Sequence, residues 1–463
     1  MMIILAAPTR SGDNVWGNGL PMRAVSFLDR QIQTESNART YPRRLPIVID
    51  KAEGLWVTDV NDKVYMDCLA GAGTLVLGHN HPVVIDALRW HLDEGRPMIA
   101  LDLPTPTKDA FVEALLSTLP CPLRDGKIHF CSPSGSDAVE AAVKLVKIAT
   151  GRRGILAFSG GYHGHTHGSL AMMGNRGPKR AISGLMPDVQ FMPFPYCYRC
   201  PFGRATACGD DRSDPPCQHL LRAMVHDPNS GLPPLAGALV EVVQGEGGVI
   251  PSNPAWMRAM ADTLKNEAAL IVDEVQTGWG RTGKLYAFEH SGVCPDVVVL
   301  AKAIGGGLPL AVIIYRRELD CWESGAHAGT FRASQMAMAA GLATLKHIQD
   351  AGLAENAEVM GRRLCSRLKE LQTKHPFIGD VRGVGLMLGM EIVAPEADAT
   401  GRPATDGARA RRLQTALLAQ GVIAELGGRD DAVLRLLPPL NITLRETDLI
   451  ADAITAACGN VAA

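Results

Sequence analysis

Apolar and polar positions alternate from Ile47 to Asp67, broken at Gly54 and at the Asn61-Asp62 pair. A period of two with that punctuation predicts strands folded back as a hairpin, and so an N-terminal sheet within residues 1–75. The first forty or so residues show no regular period and predict irregular chain. From about residue 76 to residue 335 the pattern changes, and short apolar runs alternate with stretches of helical spacing. The runs Lys127–Cys131, Ile155–Phe158, Ala238–Val243, Ala268–Asp273 and Asp296–Leu300 are the strand candidates. Apolar strands separated by helices predict an α/β domain built on a mostly parallel sheet. Beyond residue 335 a long helical stretch leads to short strands near Asp380–Ile392 and Ala432–Leu436 and to a last helix from Glu446. Residues 336–463 therefore read as a smaller C-terminal α+β domain, and the N-terminal segment is expected to pack with it across the large domain.

Composition narrows the class. A chain of 463 residues exceeds one ordinary core, which agrees with two domains. Apolar residues make up 46% and charged residues 20%, as in a packed globular protein. The net charge is −2 with both signs interspersed, so no footprint for nucleic acid or an anionic membrane is visible, and small molecules are the expected partners. Met1–Ala7 is apolar but short, lacks a basic flank and ends at Pro8, unlike a signal peptide. No window approaches the roughly 20 apolar residues of a membrane helix. Eleven scattered cysteines suit reduced thiols and a cytoplasmic location better than a disulfide framework. Among Cys197, Cys200, Cys208 and Cys217 only the first pair has typical zinc-ligand spacing. A loop near the entrance of the site, packed through Tyr196, Tyr198 and Phe202 and holding no metal, is the expectation.

Candidate chemistry gathers at three strand ends. Ser134, Gly135 and Ser136 precede a helix whose apolar positions are Ala138, Ala141, Ala142, Leu145, Val146 and Ala149. Small residues there leave the first helical N–H groups open to a phosphate; a plain capped helix start has the same look. Asp273 ends the apolar run Leu270–Val272, on the sheet edge where open α/β folds hold ligands. A carboxylate so placed needs a partner, either a protonated pyridine nitrogen or an ordinary structural cation. Lys302 ends the run Val297–Leu300 just before Gly305, Gly306 and Gly307, 29 residues after Asp273, about one strand-crossover-strand unit. A lysine in that crevice can form a Schiff base, although a strand-end lysine also commonly snorkels to water.

With these residues in hand the sequence resembles the class III (ω-) aminotransferases, pyridoxal-5′-phosphate (PLP) enzymes of fold type I, the aspartate aminotransferase-like fold. The likeness runs from about Tyr41 to Leu440, through GHNHP (78–82), SGSDAVE (134–140), GGYHG (160–164), VEVVQGEGG (240–248), IVDEVQTGWGRTG (271–283), DVVVLAKAIGGGLP (296–309), AGTFRASQ (328–335) and LRLLPPL (434–440). An ordered set of this kind is far more specific than any one piece. It implies a seven-stranded, mostly parallel large domain with a smaller α+β domain. Lys302 would carry PLP and shuttle the proton, and Asp273 would pair with the ring nitrogen. Tyr162 would stack on the ring, Gly135 and Ser136 would bind phosphate, and His163, Glu241 and Gln276 would complete the cofactor contacts. Thr330 would reach the phosphate in a neighbouring subunit, which implies a homodimer with shared active sites.

The resemblance also implies a substrate site. Arg435 matches the arginine that grips the α-carboxylate of glutamate or 2-oxoglutarate, and Glu246 the glutamate that covers it when an amine without that carboxylate binds. Ala72 and Gly73 fall in the loop on the substrate side, and Glu241 flanks the same pocket. After Tyr162-His163-Gly164 this chain has His165, where ornithine and 4-aminobutyrate aminotransferases carry an arginine; those two substrates are weakened. The segments 36–54, 68–82, 194–203 and 330–341 resemble the diaminobutyrate–2-oxoglutarate aminotransferase branch, among enzymes that supply or consume 2,4-diaminobutyrate for siderophores and related peptides. The reaction so implied converts 2,4-diaminobutyrate and 2-oxoglutarate to aspartate 4-semialdehyde and glutamate, reversibly. Another diamine or ω-amino acid, or a PLP racemase or mutase on the same fold, stays open from the sequence.

Overall fold

The computed structural model describes residues 22–203, 215–398 and 401–462. It begins with a helix, Met22–Thr34, where irregular chain is expected from the sequence. From Ala24 on, that helix buries Ala24 and Leu28 and leaves Phe27 and Ile32 exposed, and so narrow a stripe makes little periodic signal. Strands β1 (Ile49–Glu53), β2 (Trp56–Asp59) and β3 (Val64–Asp67) follow as an antiparallel meander.

The large sheet is made of β4 (Lys127–Phe130), β5 (Gly154–Phe158), β6 (Val189–Met192) and β7 (Leu235–Val240). After a two-stranded ribbon of β8 (Val243–Gln244) and β9 (Ile250–Pro251) come β10 (Ala269–Asp273), β11 (Val297–Leu300) and β12 (Val312–Tyr315). The order is β4-β12-β11-β10-β7-β5-β6. Pairing is parallel from β11 through β10, β7 and β5 to β6, and β12 runs antiparallel to both its neighbours. This is the seven-stranded fold type I sheet. Strands β5, β7, β10, β11 and β12 are buried at every position, which is why they read as unbroken apolar runs rather than alternating ones. The helix Gly135–Thr150 buries Ala138, Ala141, Ala142, Leu145 and Val146 on one sheet face.

The C-terminal part carries β13 (Ile378–Val384), β14 (Met387–Ala397), β15 (Pro403–Thr405), β16 (Val422–Ile423), β17 (Glu425–Gly427) and β18 (Val433–Leu436). Helices Leu353–Lys374, Gly407–Ala419 and Leu444–Ala462 accompany them. Strand β16 pairs in parallel with β3, and Val57 and Tyr65 pack with Ile423, so the N-terminal meander shares a sheet with the C-terminal part. In the tract at 194–203, Tyr196 is buried and Phe202 stays exposed; the expected packing of that loop through Phe202 is not found. Cys208 lies outside the described residues.

Candidate active site

The carboxyl ends of β4, β5, β7, β10 and β11 release five loops to one edge of the sheet, and β18 faces them. Asp273 is the last residue of β10 and is 4% exposed. One carboxylate oxygen accepts from the Val275 amide at 3.0 Å, and the other lies 2.8 Å from His163 Nδ1. His163 comes from the loop after β5, which Glu241 pins in place: its two oxygens accept from the amides of Tyr162 (2.8 Å) and Gly245 (2.9 Å). Burial pushes the Glu241 carboxyl up to about 7, against the opposing pull of His163 and both amides.

The same loop presses on the phosphate-loop candidate. Gly164 has φ +116°, and a Cβ there would stand 1.9 Å from Ser136 Oγ, so only glycine fits. Ser134 caps the helix by accepting from the Ser136 amide. Gly135 and Ser136 therefore stand at a helix N-terminus that opens into the cavity.

Lys302 follows β11 with φ +54°, a conformation uncommon for a side chain of this size and often kept at functional positions. Gly306 makes the turn possible, because a Cβ on it would come within 2.8 Å of the Ala340 backbone. The lysine is half-buried and lines the cavity. Burial and the Arg435 charge push its pKa below the ordinary lysine value, while Asp273, Glu425 and Glu241 oppose them.

Across the cavity, Arg435 on β18 is 1% exposed. Its Nη1 donates to Glu246 Oε2 and lies 3.3 Å from Glu425 Oε2, and its Nη2 donates to Gln276 Oε1 at 3.1 Å. Burial by itself would lower the Arg435 pKa, but Glu246 and Glu425 outweigh it and hold the guanidinium above its usual value. Gln276 in turn donates to the Ala72 carbonyl at 2.9 Å, and buried Gly73 stands beside it.

The cavity between these walls measures about 420 Å³, within the range of ligand sites. The fold thus gathers Gly135, Ser136, Tyr162, His163, Glu241, Asp273, Gln276, Lys302, Glu246 and Ala72 around one space, with Arg435 behind Glu246 and Gln276, while Thr330 stands exposed outside it. Tyr41 and Glu425 also line it, and neither is singled out by the sequence. The one available signal for Glu425 is an acid inside the apolar run Val422–Leu426.

The class-III aminotransferase model matches residues 37–458. The chain belongs to that family. Among its relatives it is 53% identical over 435 residues to a diaminobutyrate–2-oxoglutarate aminotransferase of Rhizobium meliloti, covering 93% of this chain and 92% of the relative. It is 47% identical to the Haemophilus influenzae protein of the same name, covering 91% and 92%. Among solved structures it resembles an (S)-enantioselective ω-transaminase from Thermomicrobium roseum, with a TM-score of 0.82 and 27% identity over 95% of this chain and 99% of that one. A PLP-bound amine transaminase from an uncultivated Pseudomonas species gives 0.80 and 26%, over 92% and 98%. These family members share the fold over nearly the whole chain.

Proposed function

We propose that this class III aminotransferase uses PLP to move the distal amine of L-2,4-diaminobutyrate to 2-oxoglutarate, giving aspartate 4-semialdehyde and glutamate. The observation that carries the reading is the arrangement of the two walls. One offers Lys302 and Asp273, and the other a buried arginine closed by a glutamate that is itself 40% exposed. The donor set fits PLP group by group: the helix N-terminus at Gly135 and Ser136 for phosphate, Asp273 for the ring nitrogen, Tyr162 for a ring face and Lys302 for the aldehyde. When bound, PLP supplies an electron sink for the charge left by proton loss beside the amine.

The protein's own part follows from the geometry. Asp273, oriented by His163 and the Val275 amide, holds the proton at the ring nitrogen. Lys302, with its pKa lowered, is available as a nucleophile and as the group that carries a proton. Arg435 serves two substrates in turn. With the diamine, whose reacting carbon has no carboxylate, it stays paired with Glu246; with 2-oxoglutarate, the α-carboxylate takes the place of Glu246 and gains a charge-assisted contact. Gln276 keeps the guanidinium oriented in both cases.

We read the working unit as a cytoplasmic homodimer. Met98, Ile99, Leu101, Leu103 and Phe331 are all exposed. The 98–103 segment adjoins the Thr330 loop, since Arg332 pairs with Asp102 at 2.7 Å. An apolar surface of that extent beside Thr330 suits a partner subunit. Buried free thiols at Cys68, Cys131 and Cys458 suit a reducing compartment. The test is a screen of amine donors against 2-oxoglutarate with glutamate as the readout. 2,4-Diaminobutyrate should give the highest kcat/KM, with aspartate 4-semialdehyde as co-product, and failure to form glutamate from it would overturn the reading.

A further inference from the structure

Glu425 lies directly across from Arg435 in the antiparallel pair of β17 and β18. It is 8% exposed. Its Oε1 accepts from the Tyr41 hydroxyl at 3.0 Å. Its Oε2 makes no hydrogen bond among the described residues and has only the 3.3 Å approach of Arg435 Nη1, which is already taken by Glu246. One guanidinium therefore faces two carboxylates, and this end of the site carries an excess negative charge. A buried carboxylate so incompletely matched is unfavourable until a cation reaches it.

Its place along the substrate path is equally specific. Glu425 lines the 420 Å³ cavity and also an adjoining one of about 280 Å³, walled by Tyr41, Arg44, Tyr162, His165 and Gln414 among others. Glu425 thus belongs to the junction that a substrate reacting at Lys302 must cross with its far end. In 2,4-diaminobutyrate that far end carries an ammonium and a carboxylate on one carbon. Arg44, in the wall of the outer cavity, is paired with Asp431 at 2.7 Å.

We propose that Glu425 is the receptor for the α-ammonium of the donor, and so the residue that makes the site prefer an α,ω-diamino acid to the same ω-amino acid without its α-amine. The inference rests on the function proposed above for this cavity. It does not depend on which diamine is the natural one. Tyr41 fixes the carboxylate through Oε1 and Arg435 lies behind Oε2, so the ligand's N–H groups would meet the carboxylate from the cavity and balance the charge that one guanidinium shares between two acids.

The test compares holoenzyme and the Glu425→Gln variant on two donor pairs that differ only in the α-amine: 2,4-diaminobutyrate against 4-aminobutyrate, and ornithine against 5-aminopentanoate. Loss of a charge-assisted contact predicts a fall of about tenfold to a hundredfold in the diamine-to-monoamine ratio of kcat/KM, confined to the diamine members and with bound PLP unchanged. Glu425→Asp keeps the charge and should keep most of the preference. It also serves as the readout should the glutamine variant fail to hold PLP, a ratio collapsed in the aspartate variant then counting against the proposal. An equal loss on all four donors, or ratios unchanged in both pairs, would overturn it. Wild-type enzyme that rejects 2,4-diaminobutyrate but accepts ornithine would overturn the named donor, and the second pair would still decide Glu425. Rejection of both diamines would overturn both readings.

Discussion

At the scale of single residues, the proposed function depends on one guanidinium that would change partners. Arg435→Ala removes a charge-assisted contact of about 1.5–3 kcal/mol, and the loss should fall on the half-reaction with 2-oxoglutarate, slowing it at least tenfold more than the half-reaction with the diamine. Glu246→Gln should do the reverse, leaving Arg435 partly uncovered toward the diamine while 2-oxoglutarate binding is kept or improved. Stopped-flow spectroscopy of bound PLP resolves the two halves, and equal damage to both in both variants would mean that the pair is structural. Lys302 and Asp273 could be picked out from the sequence because each ends a short apolar strand, where a charge is conspicuous, and Arg435 through the family resemblance. Tyr41 and Glu425 could not. They are hydrogen-bonded partners 384 residues apart, and Glu425 meets Arg435 only through the register of two strands. No local spacing announces a contact that tertiary packing creates.

At the scale of elements, the tract at 194–203 shows how a loop is fixed to the C-terminal part. Glu391, inside β14 and 2% exposed, accepts from the Tyr196 hydroxyl and from Arg199 Nε, and lies 2.8 Å from Arg382 Nη1. Burial alone would raise its carboxyl, but Arg382, Tyr196 and Arg199 outweigh it and hold the pKa below the usual carboxylate value. A depressed carboxyl contributes stability above its unfolded pKa of about 4.3, and that contribution is lost as pH falls. Glu391→Gln should therefore destabilise the protein at pH 7 by about 1.5–3 kcal/mol, because Arg199 and Arg382 lose their shared anion, Arg199 keeping Asp398 and Arg382 keeping Asp380. The gap from wild type should hold down to about pH 4.3 and narrow below it, as urea unfolding at neutral pH and well below about pH 4 will show; a gap that does not narrow there would contradict the assignment. Nothing in the sequence marks Glu391, whose partners come from two separate stretches. The helix Met22–Thr34 was equally hard to read, because between Ala24 and Thr34 two residues are buried. The strand Val312–Tyr315 is four residues long and follows the glycine turn after Lys302 closely, so it offers too little pattern to stand out.

At the scale of the whole molecule, the long buried strands gave the architecture away. Each is apolar throughout because helices cover both faces, and their spacing fixed a parallel sheet whose loops converge at one edge. What the chain pairs with is less legible, since apolar residues at 98–103 and at Phe331 look like core until the fold exposes them. If that surface joins two subunits, Leu103→Asp together with Phe331→Asp should shift sedimentation from a two-chain to a one-chain mass and lower PLP occupancy, because Thr330 shares the face. A wild-type protein that sediments as one chain at micromolar concentration would refute the shared-site reading.

The whole account requires that Lys302 be the residue that holds PLP. Borohydride turns a Schiff base into a stable secondary amine, so reduction of the yellow holoenzyme followed by protease digestion and mass spectrometry locates the attachment. The account predicts one pyridoxyl group per chain, on the peptide containing Lys302, and loss of both label and turnover in Lys302→Ala while the variant remains folded. A label on any other lysine, or full labelling of the Lys302→Ala variant, would contradict it.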